Sequence, residues 1–484
     1  MGLALTTLST TRPSPPRSAS TFDFHRLSVS AAADDRLKRA VQNAVVKQDV
    51  ARARGLTLLP DSDGLRTLAG KIKAHTLAYL DHYLEQFERN VRARGGVVHL
   101  ARDGAEAKKI ILRLVAAAGC KRCIKSKSMA SEEIELAHAL EQAGMDVVET
   151  DLGEFIVQIN HDKPSHIVTP IIHMNRQAIA RLFSEYFGTP YNDDPVHLTK
   201  QARAYLREKF RQADFGMTGG NFLIAETGQV CVVENEGNAR QSTTTPRVLV
   251  SLVGIEKLIP RLSDLSVMLK LLARSATGQP MTVYTSVFGG VRREGEADGP
   301  EEFHVVLLDN GRSDILAGEY RETLQCIRCG ACLNACPIYR NIGGHAYGSV
   351  YPGPIGALVT PLMHSLVTFK DLPQASSLCG ACYEACPVKI NIPRHLINLR
   401  RDIVERQISH PVERLIYRVW AWTQSNPALY RLTAWAQRVE LRRRAGGGEW
   451  VEKLPWPGSG WTEVRPIPRP AAKSFRAMWA ERRG

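Results

Sequence analysis

The chain predicts an α/β domain built on a largely parallel sheet, followed by a mainly helical cysteine-rich domain and a helical C-terminal region. Three observations carry that prediction. Short apolar runs alternate with helix-length segments between residues 97 and 149, the pattern of a parallel sheet covered on both faces. Seven of the ten cysteines fall between Cys326 and Cys386. All seven tryptophans lie beyond residue 390, in a strongly basic stretch.

A chain of 484 residues has room for two or three domains with a large buried core. Its 44% hydrophobic and 23% charged residues are ordinary for a globular protein. No stretch approaches the ~18–20 uninterrupted apolar residues of a membrane span. Residues 1–33 are expected to form a disordered N-terminal extension, or to reflect a start codon placed too far upstream. They are rich in Ser, Thr, Pro and Arg, with no acidic residue before Asp23, and lack the apolar core of a secretory signal. Pro13, Pro15 and Pro16 disfavour the amphipathic helix of a transit peptide.

Residues 34–68 are expected to form an N-terminal helical segment, with a charged, alanine-rich helix over 34–54. A second helix is expected over 68–94, where Ile72, Leu77, Leu80, Tyr83, Leu84 and Phe87 recur at helical spacing. Gly95 and Gly96 end it. The α/β domain, 69–310, then alternates: strand 97–100, helix 104–118, strand 123–125, helix 131–143, strand 146–149. Residues 222–225 and 230–233 flank Glu226-Thr227-Gly228-Gln229, a hairpin signal. The apolar runs 283–287 and 303–308 add strands.

The next domain, 311–400, holds the cysteines. Cys326-x2-Cys329-x2-Cys332-x3-Cys336 precedes Pro337, and Cys379-x2-Cys382-x3-Cys386 precedes Pro387. The first is the bacterial ferredoxin run, in which the fourth cysteine serves the other cluster. That rule assigns Cys326, Cys329, Cys332 and Cys386 to one iron–sulfur cluster and Cys336, Cys379 and Cys382 to a second. A zinc ribbon would close on two pairs instead. Ser376 stands where the second run would have its first cysteine. The expectation is therefore [4Fe-4S] for cluster 1 and [4Fe-4S] or [3Fe-4S] for cluster 2. In the four-iron case the last ligand is Ser376 oxygen, water, or a spare thiol among Cys120, Cys123 and Cys231. The 42 residues between the motifs leave room for helices, so a helical ferredoxin-type unit is expected. Exposed clusters survive best in a reducing interior, which suggests a cytoplasmic location.

Beyond it, 401–445 is expected to be helical, with helices starting near Pro411 and Pro427, and 446–484 to be an extended basic tail rich in Trp and Pro. Residues 391–484 carry 18 Lys and Arg against 8 Asp and Glu. Tryptophan with arginine suits a partner surface or a membrane interface, and the alternative is that the tryptophans fill a small helical domain. No nucleic-acid reading module accompanies the charge, so no nucleic acid is expected.

Within the α/β domain the signals are weaker. Lys125 and Lys127, with Ser128 and Ser131 at a helix start, suit either a carboxylate or phosphate or ordinary capping with solvated lysines. Thr218-Gly219-Gly220-Asn221 and Ser242-Thr243-Thr244-Thr245 are candidate anion loops that match no phosphate-loop pattern. Glu154, Glu234 and Glu236 are candidates for acid–base work or structural carboxylates. No G-x-G-x-x-G follows a predicted strand. Catalytic residues are not assigned.

Taken in order, several strings resemble one family. They are Lys125-Ser126-Lys127-Ser128-Met129, Thr150-Asp151-Leu152-Gly153-Glu154, Val233-Glu234-Asn235-Glu236-Gly237-Asn238, and the two cysteine runs with their Gly-Ala insertions. Together they are similar to the iron–sulfur protein of the bacterial L-lactate utilization system, across about residues 34–440. The resemblance implies a sugar-isomerase and CoA-transferase-like α/β domain. It implies an electron-transfer subunit, not catalytic alone, of a three-protein system oxidising L-lactate to pyruvate, with the other two proteins as partners. Peripheral contact with the inner membrane or a quinone-linked acceptor would follow. The family's second motif similarly follows Ser376-Ser377-Leu378, so the absent cysteine reads as a family trait. Cys120 and Cys123 lie outside the family pattern. Two other readings stand beside it: a relay for another 2-hydroxy acid such as glycolate, and a scaffold stabilised by its clusters.

Overall fold

The computed structural model describes residues 22–456 and 458–483. They fall into two compact units, 1–402 and 403–484. Four helices open the first: Phe24–Ala33, Asp35–Thr57, Ser62–Ala78 and Leu80–Ala93. Asp34 and Asp61 start the second and third by accepting first-turn N–H groups. Of the segment expected to be disordered, residues 1–21 lie outside the described residues, whereas Phe24–Ala33 is a helix whose Phe24 and Leu27 pack on the cysteine-rich core. The single helix expected over 68–94 is broken at Tyr79, which lies outside helical geometry at φ −124°. The break has a packing reason. Ala69 and Leu77 face the cysteine-rich core, but Leu80, Phe87 and Val91 face the sheet, and one straight helix would not serve both.

The main sheet contains β1 (Val97–Ala101), β2 (Arg122–Lys125), β3 (Asp146–Glu149) and β4 (Phe215–Thr218). The small hairpin strands β5 (Phe222–Ile224) and β6 (Gln229–Glu234) follow, then β7 (Val248–Gly254), β8 (Leu258–Ile259), β9 (Tyr284–Phe288) and β10 (Glu302–Leu308). Six strands pair in the order β1-β10-β7-β4-β2-β3, and every pairing is parallel. Ile111, Val115, Leu136 and Leu140 cover one face, Phe87 and Val91 the other. The remaining four strands form a second sheet, β8-β5-β6-β9. The helix expected over 131–143 is two, Met129–Glu133 and Leu136–Gln142, separated by Glu135 at φ +53°.

The chain's path through the main sheet fixes where a ligand can sit. From β2 it moves outward to β3; from β4 it moves the opposite way, to β7 and then β10. The switch point of the sheet therefore falls between the carboxyl ends of β2 and β4, where open α/β folds form their crevice.

The cysteine-rich region is mainly helical, as the long interval between motifs predicts: Ala331–Ala335, Pro337–Ile342, Gly353–Met363, Ala381–Ala385 and Ile392–Glu405. In the second unit, helices Pro411–Ser425 and Pro427–Ala445 pack on each other, and each begins with proline in its first turn. Residues 446–484 depart from the expected extended tail. There β11 (Trp450–Val451) pairs antiparallel with β12 (Ile467–Pro468), and Phe475–Arg483 is helical. Burial of Val451 and the Lys473–Glu481 ion pair at 2.6 Å hold these local structures. Among the described residues no helix is long and apolar enough to cross a membrane.

Candidate iron–sulfur centre

The two cysteine runs fold as repeats of one device. Gly330 (φ +77°) and Gly380 (φ +85°) each turn the chain through the left-handed region into a one-turn helix, Ala331–Ala335 or Ala381–Ala385. The two short helices pack on each other. One residue before each pair of cysteine and glycine, Arg328 (φ +60°) and Leu378 (φ +54°) are also left-handed. The first of these turns aims a backbone N–H at sulfur, and the segments after Cys336 and Cys386 aim two more. Arg328 donates to Cys326 Sγ at 3.4 Å, Tyr339 to Cys336 Sγ at 3.5 Å, and Ile390 to Cys386 Sγ at 3.4 Å.

The folding brings the thiols together in two groups. Cys329 feels the charge of Cys326 and Cys386, and Cys386 that of Cys326. Cys332 feels all three, and Cys382 as well. Cys336 feels Cys379, and Cys382 feels Cys336 and Cys379. Burial pushes the Cys382 thiol up to about 12 and Cys386 up to about 11. Exposed Cys379 is instead lowered by the Ala381 N–H and the Ser377 hydroxyl. Thiols held protonated by burial ionise when a metal takes the sulfur.

Four thiolates on one zinc would stand about 3.8 Å apart, given Zn–S bonds of about 2.3 Å. Among the described residues, only Asp162, His173 and His345 bring three candidate ligand atoms within 4.8 Å of one another. No three cysteine sulfurs do.

Ser376 holds the place in the second repeat that Cys326 holds in the first. Its Oγ accepts the Leu378 N–H at 3.1 Å, as Cys326 Sγ accepts that of Arg328. The spare thiols lie elsewhere. Cys120 and Cys123 belong to the apolar layer on one face of the main sheet, and Cys231 to β6 of the small sheet.

The other candidate residues separate into structural and cavity-lining groups. Lys125 is fully buried between Glu132 at 2.9 Å and Glu149 at 2.7 Å, an internal ion triad. Ser128 caps helix Met129–Glu133, and Ser131 Oγ donates to the Ser128 carbonyl at 2.7 Å. Ser242, Thr243 and Thr244 spend their hydroxyls on carbonyls of their own helix, and Thr245 caps it. They form no anion loop. Lys127, Ser128, Gly219, Gly220, Asn221, Glu234 and Glu236, by contrast, all line one cavity of about 400 Å³. Burial raises Glu154 and Glu236 to about 7 each. Sequence reasoning missed the residues completing that cavity, Lys257, Arg312, Arg328 and Tyr351. Arg328 sits inside the first cysteine run and was legible as part of it, but its partners come from distant segments.

Three family models match the chain in series: LUD domain over 84–308, 4Fe-4S dicluster domain over 322–390, and lactate utilisation protein B, C-terminal, over 400–484. Lactate utilization protein B of Oceanobacillus iheyensis is 44% identical over 458 residues, covering 93% of this chain and 96% of that protein. The chain belongs to the lactate utilization protein B family. The Bacillus cytotoxicus member is 44% identical over 449 residues, covering 93% of this chain and 94% of the relative. The crystal structure of a DUF162 family protein from Deinococcus radiodurans aligns with a TM-score of 0.27 at 14% identity, covering 47% of this chain and 98% of that one. The dicluster match falls on the segment that folds into the paired cysteine loops, so this family member has an iron–sulfur role.

Proposed function

We propose that the chain is the iron–sulfur electron-transfer subunit of a multiprotein system that oxidises L-lactate to pyruvate and passes electrons toward the respiratory chain. The lactate part follows from what its relatives are named for. The electron-transfer part is supported by the electrostatic neighbours of the last thiol of each run: Cys386 interacts with Cys326 and Cys329, and Cys336 with Cys379 and Cys382. Cluster 1 is accordingly assigned to Cys326, Cys329, Cys332 and Cys386, and cluster 2 to Cys336, Cys379 and Cys382. Clusters supply one-electron transfer when bound. The chain's own contribution is to bury Cys329, Cys332 and Cys386 of the first group, with Cys326 half-buried, and to leave Cys379 at the surface. It also points N–H donors at three sulfurs, which tunes their charge.

Lactate yields two electrons, so a pair of one-electron centres held by shared loops divides them. The remaining two proteins of the system are the partners this reading requires, one of them supplying the two-electron chemistry at the substrate. The test is anaerobic electron paramagnetic resonance with iron and sulfide quantification, before and after adding L-lactate together with those partners. Lactate-dependent reduction of both clusters is expected. Clusters that respond to dithionite and never to lactate in the assembled system would remove the relay.

A further inference from the structure

The 400 Å³ cavity is not used by the relay as described. Its floor is the carboxyl end of the main parallel sheet. Lys127 and Ser128 follow β2, Gly219 to Asn221 follow β4, and Glu256 and Lys257 follow β7. The first two of these segments flank the switch point between β2 and β4. Its far wall belongs to the cysteine-rich region: Arg328, Cys329 and Tyr351. A crevice at the switch point of an α/β sheet is the usual ligand position of such folds. Here Cys329, assigned to cluster 1, forms part of its wall.

The charges in the cavity are divided between its ends. At the cysteine end Arg312 is satisfied, with Nη2 to Glu133 at 2.7 Å and Nε to Glu256 at 2.6 Å. That leaves Glu256 poorly placed for Arg328, whose Nη2 stands 3.8 Å away. Arg328 Nη1 is buried with no hydrogen-bond partner, although the residue is only 9% exposed and stacks on the Tyr351 ring at 4.3 Å. A guanidinium buried with an idle N–H pair costs free energy unless something accepts from it. Lys257 lines the same end, and among the described residues its ammonium makes no ion pair or hydrogen bond. Three cations that line this end, Arg312, Arg328 and Lys257, thus face two carboxylates, Glu133 and Glu256, and buried Lys73 adds a fourth basic group behind them, bonded to the Glu256 and Leu258 carbonyls. The other end is acidic: Asp151, Glu234 and Glu236 line it, with Lys127 opposite, donating to the Val168 carbonyl at 2.9 Å.

We propose that this cavity binds a small monocarboxylate of the 2-hydroxy- or 2-oxo-acid class, its carboxylate received by Arg328 and Lys257 beside Cys329. The choice of class rests on the relay reading above. The charge pattern narrows it independently. Idle cationic donors at one end suit a carboxylate, and an acidic opposite end repels a polyphosphate while offering acceptors to a hydroxyl. The domain that carries no cluster ligand then acquires a task, holding a small acid against the first redox centre.

The experiment uses the full chain with its clusters, reduced anaerobically with dithionite and free of partner proteins. L-Lactate, pyruvate and glycolate are titrated by calorimetry. The same samples are followed by electron paramagnetic resonance, with inorganic phosphate and adenosine monophosphate as competing probes. Binding of at least one of the acids is expected, with a change in the signal of the cluster that Cys329 holds. Lys257→Gln should weaken it at least about tenfold, the loss of one charge-assisted hydrogen bond, and Lys257→Arg should keep most of it. Unchanged iron and sulfide content in both variants separates loss of binding from loss of fold. No binding by the parent chain overturns the proposal, as does preference for phosphate or the nucleotide, or a Lys257→Gln chain that binds like the parent. An Arg328→Gln chain whose cluster potential moves, when the parent shows no ligand-dependent signal, would assign the cations to the cluster alone. Each of these results leaves the relay standing, since that reading is tested by lactate-dependent reduction in the presence of partners.

Discussion

Ser376 and Cys326 accept equivalent N–H bonds at equivalent positions of two repeats, and one carries oxygen where the other carries sulfur. Oxygen is the poorer ligand for a soft iron site, so on the two-cluster assignment proposed above the Ser376 position would be the weak corner of cluster 2, three residues before exposed Cys379. Ser376→Cys is expected to retain four irons there under mild air oxidation, conditions in which the parent is expected to give a three-iron paramagnetic signal. A three-iron signal as strong in the variant as in the parent would disprove the equivalence. A second residue-scale prediction concerns Glu154. Burial raises its carboxyl to about 7, opposed by Lys127, whose Nζ stands 3.7 Å away. A carboxyl raised in the folded state stabilises the fold fully below its ordinary value near 4.5, and that contribution is lost as pH rises through about 7. The parent should therefore lose stability relative to Glu154→Gln between pH 5 and 8, by up to about 3 kcal/mol. Thermal unfolding of both chains across that range measures it. Parallel curves would mean that Lys127 holds Glu154 ionised throughout.

At the scale of elements, Arg312 ties four segments together. It bonds Glu133 of helix Met129–Glu133 and Glu256 after β7, while the Tyr351 hydroxyl donates to the same Glu133 at 2.6 Å. Arg312→Met would leave two buried carboxylates without their cation and is expected to cost about 3–5 kcal/mol, read as a lower unfolding midpoint with the cluster content unchanged at low temperature. A stability loss of less than about 1 kcal/mol would show that the carboxylates simply protonate. These same segments mark the limit of sequence reading. The cysteine runs were legible because their ligands are local and their spacing is set by one turn of chain. β1, β2, β3 and the β5–β6 hairpin were legible from short apolar runs bounded by turn residues. β7 was not, because Val248-Leu249-Val250-Ser251-Leu252-Val253 is buried on both faces and shows no alternation to separate strand from helix. β4 is four residues with a central glycine. Missing these two strands hid the switch point, and with it the reason why Lys127 and Gly219 meet. Arg328 and Lys257 are 71 positions apart in sequence, so no motif could announce their shared cavity.

The whole chain joins an α/β unit and its cluster loops in one compact body, and follows them with a second unit of different character. Helices Pro411–Ser425 and Pro427–Ala445 contain no buried residue. Trp420, Trp422, Trp435 and Trp461 are each more than half exposed, at 58%, 65%, 59% and 58%. Exposed apolar patches of this density mark interaction surfaces, and tryptophan with arginine is the composition of protein–protein contact centres. Arg442, Arg443 and Arg444 close the second helix, adding charge that would steer an acidic partner. The prediction is that this unit docks the other proteins of the lactate system. A chain ending at residue 408 should keep its iron, sulfide and cluster spectra, yet fail to co-elute with those proteins. Trp420→Ala combined with Trp435→Ala in the full chain should weaken co-elution by at least about tenfold, since buried tryptophan anchors carry about 2 kcal/mol or more each. Retained co-elution of the shortened chain would refute the docking role. Loss of binding to anionic lipid vesicles, with co-elution intact, would turn the same surface toward a membrane, where tryptophan and arginine also gather.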